Sequence, residues 1–222
     1  MNGGELYDQL CQKQFYNEKD CRDICRTIFE AIAYCHSQRV AHRDLKPENL
    51  LLKESFGHEI KVADFGFAKR VNHPESLTTR CGTPAYTAPE IINHKSYDER
   101  VDNWSLGVIL FTLLGGYPPF YASTTRLIFQ QIVQGVFTFH PERWDGISPD
   151  AKKLIGALLK LDPTERISSE QVLQHPWMTG HGDDLIQRPL TKNLEEFKVF
   201  NKERKQQSNL KSVSMYWLLT RR

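Results

Sequence analysis

The stretch VAHRDLKPENLLL, Val40 to Leu52, crowds an arginine, a lysine, two acids and an asparagine into a run that ends in leucines. These residue types suit phosphoryl transfer, where catalysis is mostly positioning and electrostatics. Asp44 can accept the proton of an attacking hydroxyl. Lys46 can sit beside the moving phosphoryl group. Asn49 can bind a hard cation through its amide oxygen, and Asp64, in VADFG, offers a second oxygen ligand. The leucines after Asn49 would set this charged loop over an apolar floor.

Such a loop needs rigid elements around it. ELYDQLCQKQ reads as a short helix with Leu6 and Leu10 on one face. Asn17 opens a second helix whose apolar residues, Cys21, Ile24, Cys25, Ile28, Ile32 and Ala33, form one stripe. NLLL and EIKVADF can pair as small strands that flank the loop. From Leu77 to Pro89 the chain is rich in Thr, Gly and Pro and reads as an extended loop. RVDNWSLGVILFTLL has the length of a helix but is apolar nearly all round, as a helix at the centre of a core would be. Three further helices carry start signals. Ser123 precedes TTRLIFQQIV. Ser148 caps a helix with Pro149 at its first position. Ser168 and Gln171 stand in capping-box spacing.

Composition sets limits on function. The 222 residues are 40% hydrophobic and 25% charged with net charge +2, ordinary for a globular chain and no argument for nucleic acid. The five cysteines, Cys11, Cys21, Cys25, Cys35 and Cys81, include no C-x-x-C pair, which favours small packing residues in a reducing compartment over metal or disulfide. The first ten residues lack the charged and apolar regions of a signal peptide, and LGVILFTLLGG is too short for a membrane span. The expected location is the cytoplasm or the nucleus. After HPWM the composition shifts: residues 179–222 hold nine Lys/Arg against five Asp/Glu, a net +4, which leaves −2 for the first 178. That asymmetry predicts a boundary near Met178 and a basic tail over 179–222.

HRDLKPEN, the DFG of Asp64–Gly66 and the APE of Ala88–Glu90, followed in order by DNWSLG, GYPPF and LDPTERIS, resemble the eukaryotic protein kinases. The resemblance covers residues 1 to about 178. It implies a mainly α (α+β) fold, the C-terminal lobe of a kinase with short β-ribbons around the catalytic loop, and the use of ATP and Mg²⁺. It casts Asp44 as proton acceptor, Asn49 and Asp64 as Mg²⁺ ligands, and Leu51 as the floor under adenine. Lys46, in the K-P-E-N form, implies Ser/Thr substrates. Asp102 would brace the catalytic loop from the central helix. Glu90 and Arg166 are similar to the family's buried ion pair.

GGEL at Gly3–Leu6, GGYPPF and the HPW of His175–Trp177 look like the calcium/calmodulin-dependent kinase group. In that group Glu5 and Glu48 meet substrate arginines, and Glu5 also meets the ribose of ATP. The resemblance therefore implies protein substrates with Ser or Thr near basic residues; the alternative is that both glutamates merely face solvent. Thr79, two residues before Cys81-Gly82-Thr83, is the position at which an upstream activating kinase would act, with Thr78 as a rival and Arg43 as the receiver of the phosphate. Thr83 would hydrogen-bond Asp44 and Lys46. In the tail, FNKERK resembles the helix that follows the kinase domain in this group, and Leu210, Val213 and Trp217 fall on one helical face. Such a segment can bind calmodulin as a helix, cover the substrate site, pack on the kinase body, or remain a disordered tail.

The 222 residues contain no G-x-G-x-x-G loop and no V-A-I-K lysine, the marks of the lobe that roofs ATP. Two expectations follow: a Ser/Thr protein kinase represented by part of its domain, or a catalytically impaired C-lobe that serves as a substrate- or calmodulin-binding module.

Overall fold

The structure, a computed structural model, describes residues 3–54, 59–180 and 189–210. Helix α1 (Leu6–Gln12) buries Leu6, Tyr7 and Leu10. Helix α2 (Glu18–Ser37) starts at Asn17, whose side chain accepts from the Asp20 amide at 2.8 Å while Asp20 accepts from the Asn17 amide at 3.2 Å. This reciprocal box satisfies two of the amides that a helix start leaves open. The stripe Cys21, Ile24, Cys25, Ile28 and Ile32 is buried.

Two small antiparallel ribbons follow. Strand β1 (Val40–Ala41) pairs with β4 (Lys69–Arg70), and β2 (Leu50–Leu52) pairs with β3 (Ile60–Val62), Leu50 opposite Val62. Helix α3 (Pro89–Ile92) begins inside the stretch expected to be extended, because Pro89 is pre-set for a first helical position. Helix α4 (Arg100–Gly115) is buried from Val101 to Gly115, so its all-round apolar sequence has neighbours on every side. It ends at Gly116, φ +83°, where a Cβ would come 2.3 Å from the carbonyl oxygen of Asn193, so both backbone angle and space require glycine.

Helix α5 (Thr125–Gln134) is capped by Thr124, whose hydroxyl accepts from the Leu127 amide; Ser123, the expected start, stands one residue too early. Two adjacent hydroxyls offered the same signal, and the backbone angle at Thr124 decided between them. Then come α6 (Pro141–Trp144), α7 (Pro149–Leu158) capped by Ser148, α8 (Ser169–Leu173) with the Ser168–Gln171 box, α9 (Pro176–Thr179) and α10 (Thr191–Leu210). The fold is mainly helical with short antiparallel strands, as the sequence implied. The five cysteines are free thiols, and among the described residues no helix is long and apolar enough to cross a membrane.

Core and composition do not divide the chain at the same place. Leu190, Leu194 and Phe197 are buried with the rest of the core, and the Phe197 ring meets Tyr7 edge-on at 4.7 Å. Burying side chains of this size contributes about 1.5–3 kcal/mol each. The first half of α10 is therefore core, although the basic composition begins near Met178. Charge counts report the solvent face of a helix, not the stripe that it buries.

Candidate active site

Asp44 lies between β1 and β2 and is 3% exposed. Lys46 Nζ donates to its Oδ2 at 2.6 Å, and the Thr83 hydroxyl donates to its Oδ1 at 2.9 Å. Thr83 comes from the Thr/Gly/Pro-rich segment, 39 residues away, so the loop and that segment meet on this carboxylate. A short 3₁₀ turn, Pro47–Asn49, then lets the Asn49 amide group donate to the Asp44 carbonyl at 2.8 Å. That bond orients the side chain and leaves Oδ1 of Asn49 as the available acceptor. The β2–β3 ladder continues through Ala63, whose amide donates to the Asn49 carbonyl at 2.8 Å, and so brings Asp64 beside Asn49.

Asp64 is left-handed, φ 59°, and its Oδ1 accepts from Gly66 at 3.2 Å. An aspartate tolerates that conformation better than most residues. Its second carboxylate oxygen remains for a cation. Among the described residues no group of three His, Cys, Asp or Glu is gathered as a metal cluster. An amide oxygen and a carboxylate fit Mg²⁺, which takes one or two protein ligands and keeps water and substrate phosphate for the rest.

Arg43, φ 70°, is also left-handed and directly precedes Asp44. Such backbone persists only where the surroundings over-determine it. Here the fully buried Asp102 of α4 does so: Oδ2 accepts from the His42 amide and Oδ1 from the Arg43 amide, both at 2.8 Å. Burial alone would push the Asp102 carboxyl up. The hydrogen bond and charge of His36 and the two backbone donors outweigh it and hold the group below the ordinary carboxylate range. The Arg43 side chain donates to the Phe67 carbonyl at 2.6 Å and to the Tyr97 hydroxyl at 3.0 Å. Tyr97 donates in turn to the Thr79 carbonyl, and its backbone pairs with Leu77. Thr78 and Thr79 are both exposed. Burial pushes the nearby Cys81 thiol up, which suits a packing residue better than a nucleophile.

Glu90 and Arg166 form a two-pronged ion pair at 2.6 and 3.0 Å, with side chains 3% and 0% exposed. Arg166 also donates to the carbonyls of Lys160 and Arg100 and lies 5.2 Å over the Trp104 ring.

The remaining acids face a partner that the sequence did not single out. Glu5 forms an isolated bridge with Leu51, the half-buried residue at the expected adenine floor. Arg204, from α10, donates to Glu5 Oε2 at 2.9 Å and pairs with Glu48 Oε1. Its guanidinium lies 5.5 Å over Tyr7. Beside it, Asn201 donates to Asp8 at 3.0 Å and Lys205 pairs with the same carboxylate. Arg204 and Glu5 are 199 positions apart, and nothing in the sequence of the basic tail singles out Arg204. Leu210 is described only as the last backbone position of α10; Val213 and Trp217 lie outside the described residues.

A helical body wrapped on α4, with an HRD loop braced by a buried aspartate and a DFG loop paired alongside, defines a protein kinase fold. Residues 1–178 match the protein kinase domain, and the chain belongs to that family, in the group formed with the calcium/calmodulin-dependent kinases. It is 44% identical over 185 residues to myosin light chain kinase A of Dictyostelium discoideum, covering 83% of this chain and 63% of that protein. It is 41% identical over 216 residues to calcium/calmodulin-dependent protein kinase type IV of Mus musculus, covering 96% of this chain and 45% of that one. With calcium/calmodulin-dependent protein kinase type II of Caenorhabditis briggsae the identity is 39%, over 97% of this chain and 40% of that one. The chain thus spans about two fifths to under two thirds of the length of these relatives.

Proposed function

We propose that the chain carries the catalytic base, metal ligands and substrate site of a basophilic serine/threonine kinase. Asp44 would orient the substrate hydroxyl and take its proton as that oxygen bonds to the terminal phosphorus of ATP, the bond to the bridging oxygen breaks and ADP departs. Lys46 and Thr83, one on each carboxylate oxygen, hold Asp44 in place for this. Asn49 and Asp64 would hold Mg²⁺, which neutralises charge on the phosphate oxygens of ATP when bound. Leu51 would form the floor under the adenine.

The observation that carries the substrate preference is the closure of Glu5 and Glu48 on one guanidinium, that of Arg204. Two carboxylates that converge on an arginine of the chain itself suit an arginine of a substrate equally well. In a peptide assay, Glu48→Arg is expected to erase the advantage of an upstream arginine. Equal phosphorylation of peptides with and without arginine by the unmutated protein would overturn the preference.

The same contact supports regulation by the tail. While Arg204 fills the acidic pair, a substrate arginine is excluded. The end of α10 near Asn201–Lys205 is held by polar contacts, whereas its start is held by buried Leu194 and Phe197. The Arg204 side chain is only 10% exposed, so separating its ion pairs is costly, and release calls for a binder that takes up the basic face of the helix. Two relatives are named for calcium/calmodulin dependence, which makes calmodulin the proposed agent of release. A peptide spanning Lys198 to Arg222 is expected to bind calmodulin at micromolar concentration only with calcium; no binding there would sink this assignment.

Thr79 is the proposed activating phosphosite. It is exposed, and its carbonyl shares the Tyr97 hydroxyl with Arg43. A phosphate here would draw on Arg43 and order the segment. Thr79→Ala is expected to abolish the several-fold gain from treatment with an activating kinase while leaving thermal unfolding unchanged. A full gain in the variant would move the site to Thr78 or remove it.

A further inference from the structure

Tyr97 stands between α3 and α4, in the stretch SYDER, and belongs to none of the motifs read from the sequence. It is 2% exposed. Its backbone and that of Leu77 exchange two hydrogen bonds, at 3.0 and 2.9 Å. This bridge lays the start of the Thr/Gly/Pro-rich segment against the entry to α4. The side chain adds a second tie. Its hydroxyl donates to the Thr79 carbonyl and accepts from Arg43 Nη1 at 3.0 Å. Both directions are fixed by the partners, because a carbonyl accepts and a guanidinium donates.

Arg43 is itself held from the other side, where its Nε donates to the Phe67 carbonyl at 2.6 Å. One phenolic oxygen thus joins the catalytic loop, the turn after DFG and the segment that carries Thr83. The Cys81 sulfur lies 3.8 Å from the same oxygen. Beyond Thr79 the segment closes on the loop. Gly82 runs so near that a Cβ would come 3.1 Å from the Arg43 carbonyl oxygen. The next residue, Thr83, donates to Asp44 Oδ1 at 2.9 Å. Whether Thr83 reaches Asp44 therefore depends on where the chain just before it is tied down, and that tie is at Thr79.

We infer that Tyr97 is a positioning residue for the reaction: its hydroxyl fastens the Thr79 carbonyl to Arg43 and so sets Thr83 in register with Asp44. The fastening takes the backbone of Thr79 and leaves the residue exposed, so it needs no modification of that threonine. A phosphate on Thr79 would add a second hold on Arg43 to one that the fold already supplies. Tyr97 acts through Thr83 and is not itself a group that meets the reacting atoms. The anchor is a property of the fold, and its use in catalysis rests on the proposed kinase reading.

The test compares the 222-residue chain with Tyr97→Phe, which removes one oxygen and keeps the ring and the backbone bridge. Amide exchange is read at Leu77, which donates to the Tyr97 carbonyl, and at Tyr86, which donates to the Thr83 carbonyl. Both are expected to quicken about tenfold while the interior of α4 keeps its protection. Thr79→Ala keeps the carbonyl and should exchange at both positions as the unmutated chain does. With ATP, Mg²⁺ and an arginine-containing peptide, Tyr97→Phe is expected to lower kcat about five- to tenfold at unchanged KM. In a Thr83→Val background the same change should cost less than about twofold, since the contact that Tyr97 positions is already gone. Unchanged exchange in Tyr97→Phe overturns the anchor. Quickening that spreads through α4 overturns it too, because the hydroxyl would then serve stability at large. Equal quickening in Thr79→Ala would put the tie in the threonine side chain, against the inference. An equal fall in kcat with and without Thr83 overturns the route to Asp44. Exchange needs no ATP, so a chain that transfers no phosphate counts against the kinase reading, and the anchor and its register are then decided by Leu77 and Tyr86 alone.

Discussion

Glu90→Ala is expected to lower the free energy of unfolding by about 3–5 kcal/mol, the range for removing one partner of a buried ion pair. The reason lies in what Arg166 would keep. Its bonds to the carbonyls of Lys160 and Arg100 and its place over Trp104 survive the change, so the guanidinium has no route to water. It is left as a fully buried cation whose countercharge, held at 2.6 and 3.0 Å, is gone. Urea unfolding followed by tryptophan fluorescence measures the loss. The control is Glu90→Met combined with Arg166→Met, which removes both charges and keeps most of the volume. It should cost less than the single change, because the stranded charge, not the lost pair, is the main penalty. A single-variant cost under about 1 kcal/mol would mean that the pair is solvated and does not tie α3 to the segment before α8.

Asp44→Asn is expected to reduce kcat for transfer to an arginine-containing peptide by about 10²–10⁴-fold, with KM little changed and the melting temperature within a degree or two. The amide oxygen can still accept from Thr83, so the loop keeps its shape. What is lost is the carboxylate that takes the hydroxyl proton, and with it the ionic bond to Lys46, 2.6 Å long in the native arrangement. Since peptide binding falls to Glu5 and Glu48 in this scheme, a rise in KM larger than the fall in kcat would place Asp44 in binding instead. Activity within threefold of the unmutated protein would remove it from proton transfer.

Both predictions concern residues that could be named before any coordinates. HRDLKPEN, DFG and APE are short and contiguous, and each packs its chemistry into one loop whose order along the chain is the signal. Helix starts at Asn17, Ser148 and Ser168 were equally legible, because a cap is a contact between residues three apart. The cap at Thr124 was missed by one position for the same locality: two neighbouring hydroxyls carry equal propensity, and the backbone chooses.

Other features have no local sign. Arg204 sits on Glu5 and Glu48 because Leu194 and Phe197 bury the start of α10 against α1 and α4, which aims the helix across the acidic pair. Basic composition alone allowed a calmodulin site, an inhibitor or a packed helix. The ring of His36 joins Asp102 to a serine 133 residues away. No spacing rule connects them. The sequence by itself determined the family, the candidate site residues and the local starts and turns, since those rest on residues within a few positions of one another. Only the tertiary structure decided which charges are paired and which are buried. Those properties belong to distant residues brought together by burial of the core, and the free energy that selects them is set by the surroundings of each group and not by its neighbours in the chain.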